Sequence, residues 1–192
     1  MLKEKLAPYT IILASGSPRR QQFFKDLDIP FRIELREIEE VYPLALKGEQ
    51  ITDYLADLKS KAFEPIKDKE LLITSDTIVW CDDQALGKPK TAKEAYEMLR
   101  KLSGKKHQVM TSVSIKSSHF QHLINDTTEV YFKDLTDAEI HYYIDTYQPF
   151  DKAGSYGIQE WIGFIGIEKI KGSYFNVMGL PVHKLYKELM KL

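Results

Sequence analysis

The chain has 192 residues, 43% apolar and 29% charged, with a formal net charge of -1 and one cysteine. That size supports a full core in a single domain over residues 1–192, with room for two lobes, while the balanced charge excludes a global positive field that would hold nucleic acid or an anionic membrane. The lone Cys81 excludes an internal disulfide and a cysteine-based zinc cluster, and no apolar run approaches the length that spans a bilayer, so the expected location is cytoplasmic.

The apolar run Ile11-Ile12-Leu13-Ala14 predicts a first strand, and Ser15-Gly16-Ser17-Pro18-Arg19-Arg20 follows it directly. Ser17 suits an N-cap and Pro18 the first helical position, so this loop starts a helix over residues 18–27. A helix start offers unpaired N–H groups and the positive dipole end, and Arg19 and Arg20 add forked, permanently charged donors, which together suit phosphate. A capped helix with two solvated arginines is the plainer alternative. A short strand over residues 31–35 and an acidic segment, Glu37-Ile38-Glu39-Glu40, come next. Ile51, Leu55, Leu58, Ala62 and Phe63 recur at helical spacing and predict a helix over residues 49–66, with Lys59 and Lys61 flanking its buried stripe.

Leu71-Leu72-Ile73 reads as a buried strand that ends near Ser75-Asp76-Thr77. Asp82-Asp83-Gln84 forms a turn, and Gly87-Lys88-Pro89 fixes another that aims one ammonium. Thr91 with Glu94, and Thr136 with Glu139, have capping-box spacing and open helices ending near Ser103-Gly104 and Tyr147. Val109, Thr111, Val113 and Ile115 alternate with polar neighbours, and residues 126–132 supply a partner strand across a turn near Ser117-Ser118. A glycine-studded connection runs from Asp151 to Gly179, and Pro181 begins a last helix. Strands and helices mix throughout, which predicts an α/β or α+β chain with a mixed sheet.

If the first loop holds phosphates, further cations and an acidic metal site should accompany it, because polyphosphate carries several charges and magnesium prefers carboxylate oxygens. Lys59 and Lys88 are candidates for the former, and Asp76 with Glu39 and Glu40 for the latter. Taken singly, each has a plain alternative as a solvated or turn residue. Asp76 stands apart because an acid after three buried apolar residues must be capped, paired or functional. The five histidines lack a metal-ligand pattern and read as structural, as does Cys81 beside two aspartates. No Walker motif is present, and the aromatics fall on apolar faces without interleaved basic clusters, against a single-strand binding platform.

Leu13-Ala14-Ser15-Gly16-Ser17-Pro18-Arg19-Arg20, Ser75-Asp76-Thr77, Gly87-Lys88-Pro89, Asp151-Lys152-Ala153-Gly154-Ser155-Tyr156-Gly157-Ile158-Gln159, Gly172-Ser173-Tyr174 and Val177-Met178-Gly179-Leu180-Pro181 together carry a resemblance. In these motifs, and in their order, the chain resembles the Maf family of nucleoside triphosphate pyrophosphatases nearly end to end. The resemblance implies a two-lobed α/β fold with a mixed sheet and flanking helices, similar to the inosine triphosphate pyrophosphatase (Maf/Ham) fold, with a nucleotide cleft between the lobes. It implies hydrolysis of a nucleoside triphosphate to the monophosphate and pyrophosphate with a divalent cation, magnesium or manganese, and it is compatible with a homodimer.

By the same resemblance Asp76 matches the catalytic acid, Ser15, Ser17, Arg19, Arg20, Lys59 and Lys88 match phosphate-handling positions, and Glu39 or Glu40, with Asp76, matches the metal site. Arg19, Thr77 and Gln159 match positions linked to base choice. A subgroup acting on dTTP and UTP is similar at Ser-Pro-Arg-Arg, Asp-Thr and Gly-Ile-Gln, whereas one acting on 7-methyl-GTP has tryptophan at the position of Arg19, so dTTP and UTP are the expected substrates. Thr74-Ser75 in place of Gly-Ala, and Glu160 in place of a common glycine, are departures. Two other outcomes stay open: a nonenzymatic nucleotide-binding regulator of division, and a broader enzyme acting on modified pyrimidine triphosphates.

Overall fold

A computed structural model describes residues 1–192. Two compact units divide the chain: the first comprises Met1–Asp76, Thr111–Asp126 and Gly179–Leu192, the second Thr77–Met110 and Thr127–Met178. The sheet has seven strands, β1 (Thr10–Leu13), β2 (Arg32–Ile33), β3 (Glu70–Cys81), β4 (Gln84–Leu86), β5 (Lys106–Lys116), β6 (Gln121–Phe132) and β7 (Ile167–Lys171). Their order is β2-β1-β3-β5-β6-β7, with β4 pairing β3 off this path. The sheet is mixed: β1 runs parallel to β2 and β3, while β3 with β4, and β6 with β7, are antiparallel.

In the first unit, α1 (Leu2–Leu6) packs on α8 (Val182–Leu189). Leu2 and Leu6, four apart, place both apolar residues of α1 on one buried face, a repeat too short to announce a helix by period. The helix α2 (Pro18–Asp26) buries Phe23 and Phe24, and α3 (Glu49–Lys61) buries Ile51, Leu55 and Ala56. The latter stops short of the expected residue 66 because Glu64 precedes Pro65, which disfavours helical backbone there.

The third strand corrects the expectation that it ends near Ser75-Asp76-Thr77. It continues through Asp76 and Thr77 to Cys81. Its parallel pairing with β1 does stop at Leu13↔Ile73, so Asp76 lies beyond the end of β1 but still on an unbroken strand. Two of the buried polar side chains there have partners, while the Ser75 hydroxyl oxygen is buried without one. Thr74 donates its hydroxyl to the Ala56 carbonyl at 2.7 Å, and Asp76 is met by Lys59.

In the second unit, Asp82 and Asp83 both take positive φ, 50° and 56°, in a two-residue turn between the paired Cys81 and Gln84. That is the mirror-image turn whose twist suits a hairpin. Helix α4 (Ala92–Leu102) and α5 (Asp137–Tyr147) close over a core that includes Val79, Leu99, Phe132, Tyr143, Tyr156 and Ile162. Thr136 and Glu139 complete the reciprocal capping box of α5. At α4, Thr91 accepts from the Glu94 N–H, but the Glu94 carboxylate turns to the N–H of Lys90. The glycine-studded connection contains more order than its composition implies: a 3₁₀ turn at Ala153–Ser155, α6 (Trp161–Gly166), β7 and α7 (Tyr174–Val177). These elements are each too short for periodicity to show.

Candidate active site

The loop after β1 folds on its own serines. Ser15 is buried, and its hydroxyl oxygen accepts the Ser17 N–H at 3.3 Å and Arg20 Nη1 at 3.4 Å. Gln21 donates to the Ser15 carbonyl at 3.1 Å. Ser17 occupies the N-cap of α2 but its side chain makes no capping hydrogen bond. Ser15 therefore turns the loop, and the Gln21 N–H closes the first turn of α2 on the Ser17 carbonyl at 3.1 Å. Pro18 sits at the helix start as expected, with Arg19 half-buried beside it.

Arg20 is fixed by backbone. Its Nε donates to the Gly179 carbonyl at 2.8 Å and its Nη1 to the Ser75 carbonyl at 3.1 Å. Burial pushes the guanidinium down to about 10, opposed by attraction to Asp76; it remains a cation at neutral pH. The fork that recognises anions is thus aimed and anchored beside the acid. No sequence signal identifies Gly179 or Ser75 as the anchors, because both act through main-chain oxygens.

Asp76, only 7% exposed, accepts from Lys59 Nζ at 2.6 Å, and Glu40 meets the same ammonium at 3.0 Å. The helix α3 delivers Lys59 from the edge of its buried stripe, so the sequence-predicted lysine and two of the three predicted acids converge. Glu39 is exposed and stays outside, and no group of three or more His, Cys, Asp or Glu side chains is assembled to hold a metal. Glu40 and Asp76 nevertheless fit a divalent cation of the magnesium type, which is usually held by one or two carboxylates with phosphate and water oxygens completing its shell.

The remaining predicted residues lie in the second unit. Thr77 follows Asp76 along β3 and is half-buried. Lys88 is exposed in the turn between β4 and α4, and that turn is pinned where the Gly154 N–H donates to the Gly87 carbonyl at 3.0 Å. Gln159 lies in the loop before α6, its side-chain oxygen buried with no hydrogen-bond partner. Sequence reasoning missed Tyr143, whose hydroxyl reaches this loop; it reads as one of several apolar-face residues on α5. Cys81 is a buried free thiol, pushed up by burial, and His107 is buried against Tyr156 and Phe132, so both fit the structural roles expected of them.

The profile of the family described as Maf-like protein matches residues 10–192. The chain belongs to the Maf family. A relative from Flavobacterium johnsoniae named dTTP/UTP pyrophosphatase is 57% identical over 193 residues, covering 100% of both chains. A relative of the same name from Christiangramia forsetii is 55% identical, covering 100% of this chain and 98% of its own, and one from Bacteroides fragilis is 52% identical over 96% of each. A HAM1 protein structure from Coxiella burnetii aligns with 96% of this Maf-family chain and 100% of its own, with a TM-score of 0.54 at 12% identity. That likeness concerns the fold alone.

Proposed function

We propose that this Maf-family chain is a nucleoside triphosphate pyrophosphatase acting on dTTP and UTP. The observation that carries the chemistry is the buried Asp76 held by Lys59, on the strand whose Ser75 carbonyl anchors Arg20. The full-length similarity to relatives named dTTP/UTP pyrophosphatase supports the choice of substrate. Arg19, Arg20, Lys59 and Lys88 neutralise the polyphosphate, while Ser15 and Ser17 shape the loop and helix start that receive it. Asp76 orients or deprotonates a water that attacks the α-phosphorus. The bond from that phosphorus to the oxygen bridging the α- and β-phosphates breaks, pyrophosphate leaves with that oxygen, and the nucleoside monophosphate keeps the water's oxygen.

Lys59 has a double duty, since it pairs Asp76 and Glu40 in the structure and is one of the cations the phosphates would meet. Glu40 and Asp76 would hold a magnesium or manganese ion, which when bound supplies Lewis-acid neutralisation of phosphate charge. Thr77, Arg19 and Gln159 choose the base, and a cytoplasmic location would give the enzyme its nucleotide pool. Positioning and fixed charge account for most of such a reaction, because transition-state charge is spread over phosphate oxygens.

Monophosphate and pyrophosphate formation from a panel of canonical and modified triphosphates, with magnesium, manganese or chelator, tests this directly. The expected result is metal-dependent cleavage of dTTP and UTP. Asp76→Asn should lose at least about 100-fold in kcat while still binding nucleotide. Cleavage of no triphosphate by folded wild type would refute the enzyme, and unchanged kcat in Asp76→Asn would remove Asp76 from the chemistry.

A further inference from the structure

A chain of polar side chains supports the loop that carries Gln159, all of it within the second unit. Lys152 is buried, and its ammonium is met by Asp151 at 2.7 Å and by Glu160 Oε1 at 3.0 Å. The other Glu160 oxygen accepts the hydroxyl of Tyr143. That hydroxyl oxygen in turn accepts the Gly157 N–H at 3.0 Å. Burial and the hydrogen bond to Glu160 push the Tyr143 hydroxyl well above its ordinary range, so it stays protonated and donates. The relay therefore reads Lys152, Glu160, Tyr143, Gly157 main chain, with every proton placed.

The loop is also packed tightly at two glycines. A Cβ on Gly157 would stand 2.8 Å from Glu160 Cδ, and one on Gly163, in α6, would stand 2.0 Å from the Ile158 carbonyl oxygen. Between these fixed points lies Gln159, whose buried side-chain oxygen has no donor. A buried acceptor left without a partner is costly, and a ligand N–H is one way to satisfy it.

We propose that Tyr143, Glu160 and Lys152 are positioning residues that hold the Gly157–Glu160 turn so that the Gln159 side-chain oxygen accepts the N3–H of a pyrimidine-2,4-dione base. The inference rests on the dTTP and UTP reading above. Uracil and thymine both present a donor at N3, whereas cytosine presents an acceptor there, which would face the Gln159 oxygen with a second lone pair. A site built to accept that hydrogen bond discriminates against the analogue that cannot give it.

The test measures kcat and KM for UTP and CTP, and binding of UMP and CMP, in wild type, Tyr143→Phe, Glu160→Ala and Glu160→Gln. Tyr143→Phe and Glu160→Ala should lower the UTP-to-CTP ratio of kcat/KM about tenfold, chiefly through KM for UTP. Glu160→Gln keeps an oxygen for the Tyr143 hydroxyl but turns its amide NH2 to the Lys152 ammonium, so its ratio should fall between those of wild type and Glu160→Ala. Folded variants that lose both substrates in equal proportion, or neither, overturn the relay. Glu160 is only partly buried, so its two variants carry the test should Tyr143→Phe fail to fold. Wild type that cleaves no UTP and binds UMP no better than CMP would instead refute the functional reading on which the relay rests.

Discussion

Lys59 joins two carboxylates that would otherwise repel, and its side chain is 17% exposed against 9% for Asp76. Replacing it with methionine keeps the stem and removes the charge, leaving Asp76 buried without its cation. The expected cost is about 2 kcal/mol, below the figure for a fully dry pair because water reaches both groups. Adding Asp76→Asn to Lys59→Met should recover part of that loss, since the stranded charge is gone. Urea unfolding of both single variants and the double variant measures this, and a double variant as unstable as the sum of the singles would show that Lys59 and Asp76 do not interact. Lys88 differs in kind. It is exposed and enters no ion pair with the protein, so Lys88→Ala should leave the urea midpoint unchanged yet raise KM for the triphosphate several-fold, on the order of 1 kcal/mol of lost attraction. Normal kinetics in that variant would reduce Lys88 to a turn residue.

Elements, more than residues, decide whether those side chains arrive. Gly154 adopts φ +67°, and a Cβ there would meet Val79 Cγ2 at 2.7 Å, while its N–H holds the Gly87 carbonyl at the base of the Lys88 turn. Gly154→Ala should therefore cost about 2 to 4 kcal/mol, summing left-handed strain and overpacking, and it should raise KM in the folded fraction. A thermal midpoint equal to wild type would show that the 3₁₀ turn yields freely. Elements with a strong local signature were readable beforehand: the Pro18 helix start, the Thr136 and Glu139 box and the turn at Asp82 and Asp83 all use short-range chemistry. The site acids and Lys59 were readable as types because a buried acid needs a partner. What did not show was whatever depends on distant main chain or on brevity. Arg20 is held by carbonyls at positions 75 and 179, Tyr143 looks apolar on α5, and β7 has no alternation to reveal its pairing with β6. The continuation of β3 through Asp76 belongs with these, since polar residues end a strand in sequence, whereas here Ala56 takes the Thr74 hydroxyl and Lys59 meets Asp76.

At the scale of the whole molecule, the core of the second unit couples folding to pH through His107. Its Nε2 is 2.8 Å from the Tyr156 hydroxyl, its ring meets Phe132 and Tyr156 edge-on, and Nδ1 is buried without a partner. Burial pushes the imidazole down to about 3, whereas in an unfolded chain it takes a proton near pH 6.5, about its free value. Between those two values the unfolded state binds the extra proton, so folding stability rises with pH across that window and is lost as pH falls through it. The contribution to the slope is at most about 1.4 kcal/mol per pH unit. His107→Gln removes the titration while keeping a polar group for Tyr156. Wild type and variant should therefore converge in relative stability toward acid, with urea midpoints measured at several values from pH 7.5 to 4.5. Parallel lines for the two proteins over that range would mean that His107 is protonated as readily folded as unfolded, and that its burial is not what neutralises it. Tyr156 sits within the motif 151–159 that also carries Gln159, so a measured slope would tie acid sensitivity of the fold to the same segment that supports the proposed base-selecting loop.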